Sequence, residues 1–121
     1  MRATFRMEDQ NISMIRGDTL SFGFELYEKT GAGELVIYSE DLDTAFLSCK
    51  KNYIDEIYVF QKSLGDGITK KETGKYVVRV APEDTEDIEA GKYYYDLEIG
   101  VNNDKYTILK GVLEIEQDVT A

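Results

Sequence analysis

The densest run of reactive side chains is Glu83, Asp84, Glu86, Asp87 and Glu89. Clustered carboxylates suggest calcium, which takes six to eight oxygens from a folded loop. Asp41 and Asp43 could add ligands from Ser39-Glu40-Asp41-Leu42-Asp43. The spacing fits no EF-hand loop, which alternates its acids about a central Gly. The cluster therefore reads as a solvated turn, with Thr85 or Asp84 bonding local backbone. No metal ligand is assigned.

Other candidates reduce to turns in the same way. Gly65-Asp66-Gly67 lacks the Gly-Lys-Ser/Thr ending of a phosphate loop and reads as a hairpin turn. Arg16-Gly17-Asp18 reads as the link between two strands. A glycosidase needs only two carboxylates at a set separation, so a surplus of acids singles out no pair. The chain has no His. Triads of Ser-His-Asp or Cys-His type and His zinc sites are excluded. No catalytic residue, cofactor or metal is expected, and the chain is read as a non-enzyme.

Cys49 is the only cysteine. It can form no intrachain disulfide, and it lies in the apolar stretch Thr44-Ala45-Phe46-Leu47-Ser48-Cys49. It reads as a small buried hydrophobe in a protein made in a reducing cytoplasm. The net charge of −10 is spread evenly along the chain. Phosphate backbones are bound by clustered Lys and Arg, so neither nucleic acid nor an anionic membrane is an expected partner. The longest apolar runs, Leu35 to Tyr38 and Ile57 to Phe60, fall far short of a membrane span of about 20 residues. The start, Met1-Arg2-Ala3-Thr4-Phe5, has no signal-peptide core.

The nine tyrosines stand out. Tyrosine offers contact area at low entropic cost and is enriched at interfaces. Tyr94 alternates outward between Tyr93 and Tyr95. Tyr53 and Tyr58 lie in the segment that starts with Lys50-Lys51. Tyr53, Tyr58 and Tyr94 are the candidate interaction residues.

The elements that must position them are strands. Leu20, Phe22, Phe24 and Leu26 alternate with polar or small residues, and so do Tyr93, Tyr95, Leu97, Ile99 and Val101. A period of two marks strands with one buried face. Turn signals at residues 16–18, 29–33, 64–67, 72–75, 89–92 and 101–104 divide the chain. The expectation is seven to nine short strands, near 2–7, 11–15, 18–28, 34–38, 43–51, 57–62, 75–81, 92–101 and 105–117. Residues 82–90 form one helical turn at most. The last strand changes parity between Ile108 and Leu113, which predicts a bulge near Lys110-Gly111. The fold class is all-β, an antiparallel β-sandwich in a single domain over 1–121.

Glu89-Ala90-Gly91-Lys92-Tyr93-Tyr94-Tyr95 resembles the start of strand F in immunoglobulin-like domains. Tyr93 falls on the tyrosine-corner position, and Tyr95 stands where antibody domains carry cysteine. With no Trp either, the chain departs from the antibody type.

A wider resemblance runs through Ile12-Ser13-Met14-Ile15-Arg16-Gly17-Asp18-Thr19, Phe60-Gln61-Lys62-Ser63-Leu64-Gly65-Asp66-Gly67-Ile68 and Ala81-Pro82-Glu83-Asp84-Thr85. It continues in Gly91-Lys92-Tyr93-Tyr94-Tyr95-Asp96-Leu97, Tyr106-Thr107-Ile108-Leu109-Lys110-Gly111 and Ile115-Glu116-Gln117-Asp118-Val119-Thr120. In this order the blocks resemble small proteins of phage and prophage tail regions in Gram-positive hosts. They also resemble the N-terminal immunoglobulin-like domain of phage baseplate upper proteins. The resemblance implies a structural or adaptor module of a virion, whose partners are itself and/or other phage tail proteins. Those baseplate proteins continue into further segments, whereas this chain ends at Ala121, so the resemblance does not extend to receptor binding by an attached module. Association is expected through exposed strand edges, either residues 2–7 or residues 112–119. The alternative is a carbohydrate-binding module that recognises host cell wall, since β-sandwiches do this with aromatic platforms and carboxylates.

Overall fold

A computed structural model describes residues 3–4 and 10–119. The strands in chain order are β1 (Ala3–Thr4), β2 (Ile12–Ile15), β3 (Leu20–Glu25), β4 (Tyr27–Lys29), β5 (Leu35–Ile37) and β6 (Thr44–Lys50). There follow β7 (Phe60–Leu64), β8 (Gly67–Glu72), β9 (Lys75–Val80), the single turn α1 (Pro82–Thr85), β10 (Gly91–Val101) and β11 (Asp104–Glu116). The protein is all-β. Among the described residues no helix is long and apolar enough to cross a membrane.

The larger sheet has the order β2-β11-β10-β6-β7-β8-β9-β3, and a smaller one the order β1-β4-β5. β3, β9 and β8 stay together, and so do β6, β10 and β11. Phe24, Ile68, Tyr76 and Val78 from the first group bury against Leu47, Leu97, Ile99 and Ile115 from the second in one core. Each such side chain contributes roughly 1.5–3 kcal/mol by leaving water.

Two pairings are parallel rather than antiparallel. β2 runs parallel to β11, with Ile12 opposite Leu113. β7 runs parallel to β8 over Ser63↔Gly67 and Leu64↔Ile68. Residues 65–67 therefore do not make the expected hairpin turn. They switch the chain from one strand group to the other, into a strand that alternation did not reveal.

Three further expectations need correction. The segment 18–28 is two strands broken at Leu26, whose N–H donates to the Gly74 carbonyl (2.8 Å) and whose carbonyl accepts the Tyr38 N–H (2.9 Å). The bulge in β11 lies earlier than predicted. Leu97 pairs with Leu109 and Glu98 with Thr107, so Ile108 is the extra residue, and Ile108 and Leu109 are both buried. Gly111 instead makes room for a neighbouring segment, because a Cβ there would run into the carbonyl oxygen of Gln10. Lastly, Val112 to Glu116 is no edge, because β10 and β2 flank β11. Of residues 2–7 only Ala3 and Thr4 are described, paired with Glu28 and Tyr27; the rest lie outside the described residues.

Candidate functional site

β6 and β10 pair with Tyr94 opposite Lys50, Asp96 opposite Ser48 and Glu98 opposite Phe46. Their intervening residues, Leu47, Cys49, Tyr95 and Leu97, are buried in the core. Alternation therefore turns the first set outward. β7 places Gln61 beside Ser48, and Gln61 Nε2 donates to Ser48 Oγ at 3.0 Å. On the other side β11 places Lys110 opposite Asp96, Thr107 opposite Glu98 and Lys105 opposite Gly100.

The segment joining β6 to β7 forms a wall along this face. A local turn shapes it: the N–H of Asn52 donates to Asp55 Oδ2 (3.1 Å), and the N–H of Asp55 to the Asn52 carbonyl (3.1 Å). Tyr53 then lies against Tyr94, ring centroids 4.2 Å apart and planes tilted by 34°. Lys50 Nζ sits 5.3 Å from the centre of the Tyr58 ring, within cation–π range. Floor and wall enclose an open groove of about 830 Å³. Tyr53, Tyr58 and Tyr94 all line it.

The groove mixes charge. Lys50, Lys105 and Lys110 face Asp96 and Glu98. The Asp96 carboxyl is raised above the usual carboxylate range, first by the desolvation its neighbours impose and then by Glu98. Lys50 opposes that shift.

Tyr93 belongs to the opposite face. Its ring is buried and its hydroxyl donates to the Glu89 carbonyl at 2.5 Å, four residues upstream. Tyr95, at the position resembling the antibody cysteine, donates its hydroxyl to the Gln10 carbonyl at 2.6 Å.

The acids singled out at first are dispersed. Asp84 accepts the Ala81 N–H at 2.7 Å and forms an ion pair with Lys62 at 3.0 Å. Thr85 accepts the Gly17 N–H at 2.8 Å. Asp41 pairs with Lys70, and Asp43 accepts the N–H of Asn102 at 2.8 Å. Among the described residues no group of three or more His, Cys, Asp or Glu could hold a metal ion. Burial pushes the Cys49 thiol up to about 12, which keeps it a poor nucleophile.

Residue type pointed to the three groove tyrosines but not to Phe46, Ser48, Gln61, Asp96, Glu98, Lys105 and Lys110. Outward parity on β6 and β10 was the available signal for four of them. Only strand register brings them beside Gln61 and the two lysines of β11. In comparisons with known proteins, the chain matches no family model and no curated relative.

Proposed function

We propose that this chain is a non-enzymatic structural or adaptor module of a phage or prophage tail or baseplate, working within the virion by protein–protein association. The tail assignment rests on the sequence resemblance. The association rests on β5. Among the described residues Leu35, Val36 and Ile37 form the outer strand of the smaller sheet, paired on one side with β4. All three are exposed, Leu35 at 61%. An apolar strand open along one side is a template for another chain's strand, and monomers rarely leave such residues grouped at their surface.

The strand edge would supply backbone hydrogen bonds, and alternate apolar side chains would set the register. The occupant is a strand of a neighbouring tail subunit. A net charge of −10 favours a neighbour that presents basic residues around that strand. The test is Val36→Lys, which leaves the fold intact because Val36 is not in the core. Mixed with the purified products of the adjacent genes, the wild type should co-elute with one of them and Val36→Lys should not. Equal co-elution by both would remove β5 from the account.

A further inference from the structure

We propose that the tyrosine-lined groove on β6, β10 and β11 binds an anionic glycan, at a site separate from the β5 edge. Three observations converge on that ligand.

The first is a platform. Tyr53 gives one ring face to Tyr94 and remains 63% exposed. A sugar ring carries a patch of C–H bonds on one face and stacks on such a surface, as other flat apolar faces do. The second is a polar floor. Ser48, Gln61 and Thr107 offer hydroxyl and amide groups on paired strands, and Asp96 and Glu98 offer acceptors. Sugar hydroxyls both donate and accept, so this mixture suits them. Strand-borne groups are held in place before the ligand arrives.

The third is charge. Lys50, Lys105 and Lys110 line the groove against two carboxylates. None of these five residues takes part in the ion pairs found among the described residues. A local excess of one positive charge on a chain of net charge −10 favours an anion over a cation as its complement. A protein anchor is less well served. Hot spots want a buried apolar pocket, and among the described residues Phe46 is the one apolar side chain besides the tyrosines that lines the groove.

The anion could be a carboxylate or a phosphate, and two probes separate them. Oligogalacturonate and a glycosylated poly(glycerol phosphate) are titrated by calorimetry against the full chain, with maltohexaose as the neutral control. The wild type should bind one or both anionic probes saturably, at least about tenfold tighter than maltohexaose, and more weakly as salt rises. Whichever probe binds names the anion. Tyr53→Ala should weaken binding about tenfold, while Tyr53→Phe, which keeps the platform, should stay within about twofold. The double variant Lys105→Gln/Lys110→Gln should remove the preference over maltohexaose. Val36→Lys should bind as the wild type does, so failure of the β5 reading leaves this one standing. Absence of saturable binding to both anionic probes would overturn the proposal, as would equal binding of the neutral sugar. Loss of a tail-protein complex in Tyr53→Ala, without glycan binding by the wild type, would assign the groove to a protein instead.

Discussion

Tyr53 lies across Tyr94 with ring centroids 4.2 Å apart. Tyr94 is fixed by the β10 ladder, between Lys50 and Val112. Tyr53 belongs to a segment without strand pairing. The ring contact therefore ties the wall of the groove to its floor, while Ile54 and Ile57, 91% and 81% exposed, reach into solvent.

That tie is measurable by a double-mutant cycle. Tyr53→Ala, Tyr94→Ala and the double variant should show a coupling of about 0.5–1.5 kcal/mol in urea unfolding. Strict additivity would mean that the rings touch without stabilising the wall.

Gly111 leaves the space through which the Gln10 carbonyl reaches the Tyr95 hydroxyl. Gly111 pairs with Tyr95 across β10 and β11. The N–H of Gln10 donates to the Lys110 carbonyl at 3.1 Å, and the N–H of Val112 to Asn11 Oδ1 at 3.1 Å. Gly111→Ala should therefore cost about 1–3 kcal/mol, as overpacking does. Gly31→Ala, where a Cβ meets nothing within 4 Å, should change stability by less than about 0.5 kcal/mol. Equal denaturation midpoints for the two variants would refute the close approach.

Removing the Tyr93 hydroxyl should take away the Glu89 carbonyl's protein donor. Tyr93→Phe is expected to lose about 0.5–1.5 kcal/mol, whereas Tyr58→Phe, at an exposed position, should lose almost nothing. Thermal unfolding of the pair checks this, and matching melting temperatures would show that the hydroxyl contributes nothing.

Cys49 titrates at about 12 in the fold against an ordinary value of 9.0. The folded thiol stays protonated where the unfolded thiol ionises. Its contribution is thus complete below pH 9 and is lost as pH rises from 9 toward 12. Burial also raises Tyr93 above 10.0, which adds to the same slope. Denaturation midpoints should fall between pH 9 and 11, and less steeply in Cys49→Ala. At pH 8 Ellman's reagent should react with the thiol only after unfolding. Prompt reaction of the native protein would contradict the burial.

Where one face was buried and the other wet, alternation located the strands, as in β9 and β10. It failed on β8 because only Ile68 is buried there and Thr69 to Glu72 are all exposed, so no period exists to read. It merged β3 and β4 because Leu26 keeps the parity of Phe22 and Phe24, while its N–H extends the β3–β9 register to Gly74 and its carbonyl extends the β4–β5 register to Tyr38. The change of parity in β11 was legible, but its position was drawn to Gly111, a glycine kept for close approach to Gln10. In the groove, residue type alone marked Tyr53, Tyr58 and Tyr94. Their convergence with Gln61, Lys105 and Lys110 depends on pairing register, which no local pattern carries.

Association is the claim on which the functional account stands. Its most direct test is multi-angle light scattering at micromolar concentration, with the chain alone and then mixed with the purified products of the adjacent genes. The expected result is a complex of defined stoichiometry that Val36→Lys dissolves. A particle that keeps the mass of one chain, 13.8 kDa, in every mixture would contradict it.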